Sequence, residues 1–165
     1  MSTIAESLKQ KFGEGSFSTS HFRDNFRVHV AAEKLFEIMK YLKEEAGFDM
    51  LADLSGVDYL NYPGATDRYA VIYALTNMKS GERVIVKTML NDPDPQVASV
   101  YSLWKAADWM ERECYDMFGI HFVGHPDLRR ILLPDEFVSF PLRKDYPLRG
   151  RGERHNFPTV TRAES

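Results

Sequence analysis

The prolines divide this chain. Of its eight prolines, five (Pro126, Pro134, Pro141, Pro147, Pro158) follow Gly119, and each removes a backbone donor and fixes a torsion. Residues 120–165 are therefore predicted to form an extended, irregular arm. Residues 1–119 must supply the regular structure. A length of 165 residues suits one folded unit able to bury a core without disulfides or metals, and a hydrophobic content of 44% agrees.

Within 1–119 the periodicities alternate. Thr3 and Glu6 have the form of a capping box, with Ile4, Leu8 and Phe12 on one helical face and Gly13 beyond it. Phe17–Phe22 and Phe26–Val30 are predicted strands around Arg23-Asp24-Asn25. Leu35, Met39, Leu42 and Ala46 recur at helical spacing, and Gly47 marks the stop. A strand is expected within Phe48–Tyr59, with Gly56 as a break or bulge, then a turn at Asn61-Tyr62-Pro63-Gly64. Tyr69–Thr76 and Arg83–Leu90 are β-rich and joined by Lys79-Ser80-Gly81, so they should pair antiparallel. Asp92-Pro93-Asp94-Pro95 breaks regular structure. A last helix is expected over Trp104–Phe118, with Ala106, Met110, Glu113 or Cys114, and Met117 on its stripe and Gly119 as its stop. This order predicts an α+β, two-layer domain with a mostly antiparallel sheet covered by helices on one face.

Several chemistries are disfavoured. One cysteine, Cys114, allows no internal disulfide and no four-thiolate iron-sulfur cluster. His121 and His125 stand four apart near Cys114 and Asp116, but Gly119, Gly124 and Pro126 oppose the helix that metal binding at that spacing needs. Acidic neighbours disfavour a Cys114 thiolate, leaving a small Cys/His enzyme as a remote alternative. Gly13-Glu14-Gly15 and Gly150-Arg151-Gly152 lack the setting of a phosphate loop, and Asp53 and Asp58 read as ordinary strand-edge or turn residues. The opening MSTIAESLKQKF has neither a long apolar core nor an arginine, and the longest apolar candidate is Ala70–Leu75. A chain soluble by itself is expected.

Charge is uneven. The net value is -3, yet Arg129–Arg154 holds seven basic residues against four acidic ones, so the tail suits an acidic partner. Between Glu111 and Leu148, charges, aromatics and prolines are packed between short apolar runs, more densely than a solvated loop requires. If Arg112, Glu113 and Asp116 close a helix while Arg129, Arg130, Arg143 and Lys144 come from the arm, ion pairs would fasten the arm to its own domain or to a partner. Arginine suits either, because its planar fork holds a carboxylate with two parallel bonds. Leu132, Leu133, Phe137, Phe140, Leu142 and Tyr146 supply apolar anchors. For Arg143, Lys144 and Asp145 the partner is the expectation, since extended arms rarely bury enough to order alone.

Four pieces of this stretch, ERE (111–113), YDMFGI (115–120), HPDLRRILLP (125–134) and PLRKDYP (141–147), resemble in their order the signature of the 30 kDa subunit family of proton-pumping NADH:quinone oxidoreductase, respiratory complex I. Ser139 stands where the family commonly has glycine. The resemblance marks Glu111, Arg112, Glu113, Asp116, His125, Pro126, Arg129, Arg130, Pro134, Pro141, Leu142, Arg143, Lys144, Asp145, Tyr146 and Pro147 as motif or interface residues. It implies a structural, non-catalytic subunit of the peripheral arm that docks on the 49 kDa (D) subunit near the quinone site, beside the cluster-bearing small (B) and ferredoxin-like (I) subunits. FMN and iron-sulfur clusters would sit on those partners and none on this chain. Attachment to the cytoplasmic face of a bacterial membrane would be peripheral, through partners. The alternative within the class is the equivalent subunit of a ferredoxin-dependent, F420H2-dependent or hydrogenase-type complex.

Overall fold

The computed structural model describes residues 2–153, apart from the side chains of Ser2 and Thr3. The expected Thr3 cap, Arg154 and Pro158 thus lie outside the described part. Helix α1 (Ser2–Phe12) leads into strands β1 (Phe17–Phe22) and β2 (Asn25–Val30), then helix α2 (Leu35–Glu44). Strands β3 (Met50–Asp58), β4 (Tyr69–Thr76) and β5 (Arg83–Leu90) follow, then β6 (Gln96–Ala98), helix α3 (Ala107–Phe118) and β7 (His121–Val123). The main sheet runs β1-β2-β5-β4-β3, antiparallel except for β2 beside β5, while β6 and β7 pair parallel in a second, small sheet. The expected α+β class and the antiparallel β4–β5 pair are both present.

One face of the main sheet makes the core. Phe26, Val28 and Val30 of β2, Val84, Val86 and Leu90 of β5, and Tyr69, Val71, Tyr73 and Leu75 of β4 are buried with Ile4 and Leu8 of α1 and Leu35, Ile38, Met39 and Leu42 of α2. Each such side chain contributes about 1.5–3 kcal/mol by leaving water. Phe12 and Tyr41 meet edge to face at 5.6 Å, joining α1 to α2. At the end of α2 Gly47 adopts φ 78°, the left-handed stop its position predicts.

Three expectations need correction. The irregularity in β3 falls between Leu51 and Asp53, whereas Gly56 pairs regularly with Val71. Gly56 serves packing instead, because a Cβ there would lie 2.6 Å from Cδ2 of Phe118. Helix α3 begins at Ala107, with Trp104 held in the preceding turn by its N–H donating to Val100 O at 2.9 Å. Its buried stripe is Ala107, Glu111, Cys114, Asp116 and Met117; Cys114 and Met117 were expected there and Met110 packs partly against the core, but Ala106 and Glu113 are exposed and Glu111 and Asp116 take the buried positions. Polarity concealed this, since two buried positions carry carboxylates.

Past Gly119 the chain still contributes to the core. Ile120 and Phe122 are buried, and β7 pairs beside β6. From Gly124 to Gly152 there are only turns, bends and irregular segments, as the prolines dictate.

The contact at Gly56 gives a direct test. Gly56→Ala should lower stability by about 1–3 kcal/mol through overpacking against Phe118. Adding Phe118→Leu should restore part of the loss, measured as the urea midpoint at constant m-value.

Candidate functional site

Asp116 sits in the last turn of α3, where the helix dipole disfavours negative charge. It is nevertheless fully buried. The arm explains why: Oδ2 accepts the consecutive N–H groups of Ile131, Leu132 and Leu133 at 3.1, 2.8 and 2.9 Å, and Oδ1 accepts Arg130 Nη1 at 2.6 Å. Three successive amides form an anion nest. Burial alone would raise this pKa, but the bonds from Leu133, Arg130, Leu132 and Ile131 outweigh it and hold the carboxyl below its ordinary range.

Further pins line the same helix end. Arg112 donates from Nε and Nη2 to the carbonyls of Arg129 and Arg130 at 3.1 and 3.0 Å. Arg130 donates to Ser139 O at 3.1 Å and lies over the Phe140 ring at 5.3 Å. Arg143 Nε donates to Phe118 O at 2.6 Å, and its guanidinium stacks over Phe140 (4.7 Å) and Tyr69 (5.2 Å). This close approach requires Gly119, at φ 73°, because a Cβ there would lie 2.6 Å from both Arg143 Nη2 and Phe140 Cε2. Ser139 is not among the described residues of positive φ, and its hydroxyl donates to Glu153 Oε1 at 2.9 Å.

A third attachment centres on Arg68. Its guanidinium reaches Asp92 (2.6 Å), Asp145 (2.9 Å) and Asp58 (3.4 Å), and it holds Asp145 below the usual carboxylate range. Asp58 also accepts the Lys144 N–H at 2.8 Å. Tyr146 Oη donates to Glu153 Oε2 at 3.1 Å.

Glu111 serves the opposite end of α3. Its two oxygens accept Val100 N at 2.7 Å and Ser99 Oγ at 2.6 Å. Burial, offset by those bonds and reinforced by Asp108, pushes its pKa up to about 7. His125 Nε2 lies 4.0 Å from Glu111 Oε2 and 3.2 Å from Asp108 O, while its Nδ1 accepts Asp127 N–H at 3.1 Å. With Nδ1 accepting, Nε2–H is the ring donor facing Asp108 O.

The expected residues thus divide into two groups. Glu111, Arg112, Asp116, His125, Arg130, Arg143, Asp145 and Tyr146 contact their own domain or arm, while Pro134 and Leu142 lend backbone groups, Pro134 O to Phe137 and Leu142 N to Met117 O (3.1 Å). Pro141 is half-buried; Glu113, Pro126, Arg129, Lys144 and Pro147 are exposed. Also exposed are Trp109 (69%), Leu132 (62%), Val138 (79%) and Leu148 (104%). Asp58, Arg68, Gly119 and Glu153 were missed as site residues; no local signal joins Asp58 to Lys144. Cys114 is buried, and burial first, then Glu113, pushes its thiol up to about 12. Among the described residues no group of three His, Cys, Asp or Glu has metal-binding geometry.

Residues 28–152 match the family described as respiratory-chain NADH dehydrogenase, 30 Kd subunit. The C subunit of the NADH-quinone oxidoreductase of Citrifermentans bemidjiense is 41% identical over 143 residues, covering 87% of each chain. A trypsin-resistant fragment of Nqo5 superposes with TM-score 0.69 at 36% identity, covering 76% of this chain and 98% of that one. A chain of an archaeal membrane-bound sulfane sulfur reductase shares the fold, with TM-score 0.74 at 24% identity and coverage of 89% and 85%.

Two outcomes are expected here. Asp116→Ala should cost about 3–5 kcal/mol by stranding Arg130 and three amides, and limited proteolysis should then cut within 124–152. In the wild type the Asp116 contribution is complete above the unfolded carboxyl pKa of about 3.9 and is lost as pH falls through the depressed folded value. Glu111 has the opposite sign: its raised pKa makes stability fall as pH rises from about 4.5 to 7. Glu111→Gln should flatten that slope in urea melts while keeping the fold.

Proposed function

The chain belongs to the family of the 30 kDa subunit of respiratory-chain NADH dehydrogenase, and from that membership we propose that it is a cofactor-free structural subunit of proton-translocating NADH:quinone oxidoreductase, docking through the outer side of its arm on the 49 kDa (D) subunit near the quinone site. The cluster-bearing small (B) and ferredoxin-like (I) subunits are its further neighbours. FMN and iron-sulfur clusters belong to partner subunits, and this chain performs no chemistry of its own. It lies at the cytoplasmic face of the bacterial membrane through those partners; no described helix is long and apolar enough to cross a membrane.

One observation carries this reading: the arm is fixed from within and apolar without. Asp116 and Arg112 hold its backbone and its own Arg143 binds Phe118 O, while Leu132, Val138, Leu142 and Leu148 stay exposed, the last two within two residues of the exposed Lys144 and Arg149. An arm already ordered loses little entropy on docking. Exposed leucines with cations close to them in sequence suit a partner with apolar pockets and carboxylates. The raised Cys114 thiol pKa supports a role without nucleophilic chemistry.

Leu142→Asp with Leu148→Asp tests the reading, because it changes only exposed side chains and keeps the backbone bond from Leu142 N–H to Met117 O. The isolated variant should keep the wild-type circular dichroism and melting temperature. Its incorporation into the complex, followed on native gels and by NADH:quinone activity, should fall at least ~30-fold, the loss of about 2 kcal/mol expected of hot-spot residues. Normal assembly of this variant would refute docking through the arm.

A further inference from the structure

Strand β4 is apolar along nearly its whole length, reading YAVIYALT from Tyr69 to Thr76. A strand with one face in water alternates, whereas a strand covered on both faces does not. Tyr69, Val71, Tyr73 and Leu75 are buried toward the helices. Ala70, Ile72 and Ala74 lie on the opposite face. There the register sets Ile72 beside Lys87, Ala74 beside Ile85, and Ala70 beside Met89. Ile72, Ala74, Ile85 and Met89 remain half-exposed. Among the described residues, cover comes at one end, where Lys87 Nζ donates to Tyr59 Oη at 3.0 Å. At the other end Met50 and Met78 border an open groove of about 430 Å³.

Charge narrows the occupant. By register this face carries Arg27, Lys87 and Arg83 against Asp53, an excess of cations in a chain of net charge -3. Neither Arg27 nor Lys87 pairs with a carboxylate among the described residues. His29 lies next to Lys87, and burial first, then Lys87 and Arg27, lowers its pKa. A second copy of this chain would oppose cations to cations. The central strip, about 27 Å long and three strands wide, offers on the order of 400 Å², about half of one partner's share in a standard stable interface. A homodimer is thus disfavoured, and a component that is also held elsewhere is favoured.

We propose that the uncovered face of the main sheet is a second interface, seating an apolar ridge flanked by carboxylates on another subunit of the assembly. The inference rests on the reading of the chain as a subunit docked through its arm. The methionines suit an irregular apolar partner because their side chains adapt to its shape, and Arg27 and Lys87 select for acidic flanks.

The test uses the intact complex, with the photo-crosslinker p-benzoylphenylalanine replacing Ile72 in one preparation and Leu148 in another. Irradiation should link position 72 to a carboxylate-bearing segment of another subunit. A link to this chain itself, to a second copy, to a segment without carboxylates, or to nothing overturns the proposal. Links at 148 without links at 72 reject this second interface alone, whereas absence at 148 rejects the arm reading. In parallel, Arg27→Glu with Ile85→Glu should compete at least ten-fold less well than wild type for incorporation, with unchanged circular dichroism in isolation. Equal incorporation also overturns the proposal.

Discussion

A carboxylate at the wrong end of a helix organises this molecule. Asp116 opposes the dipole of α3 and is removed from water, two conditions that would each favour its neutral form. Only the arm reverses that balance, by bringing three backbone amides and one guanidinium to the two oxygens. The dependence is mutual. Without Asp116 the amides of 131–133 would need water, and without the arm the helix could not hold a buried charge. Arg112 of the helix and Arg143 of the arm tighten the same junction by binding carbonyls on the opposite partner, so that peptide dipoles, rather than opposite charges, face both guanidinium groups.

The two buried acids of α3 do different work because their partners differ. Asp116 meets donors strong enough to keep it ionised. Glu111 meets one amide and one hydroxyl, beside another acid, and its pKa rises to about 7. Near neutrality the buried side of the helix therefore holds one fixed carboxylate and one titratable one. The first fastens the arm; the second fastens the segment Ser99–Val100 that leads into α3.

Much of the fold was legible because periodicity is local. The bounds of β4 and β5 follow directly from their β-branched and aromatic runs, and Gly47 and Gly119 stop their helices as placed. In the stripe of α3 Cys114 and Met117 fell as expected, but Glu111 and Asp116 were overlooked because burial of a carboxylate depends on partners elsewhere in the chain, which periodicity does not encode. The inward arginines were equally hidden. Arg143 and Asp145 look like docking charges until Tyr69, Phe118 and Arg68 are set beside them. Gly56 looked like a strand break because its true constraint, the ring of Phe118, lies 62 residues away. The motif itself was plain, but its inner and outer faces were not.

The attachments of the arm are also non-local in a directional sense. Asp58 receives an amide 86 residues later, and Arg68 joins Asp58, Asp92 and Asp145 from three separate segments. Such contacts cannot form until β3, β4 and the loop after β5 are in place, since loop closure must precede the reward. Ordering of the arm thus depends on those elements being in place. Its outward leucines are displayed in their final arrangement only on a domain that has already closed. Assembly that reads this display would accept finished copies and pass over immature ones, which makes the geometry of the arm a certificate of folding as well as a surface for contact.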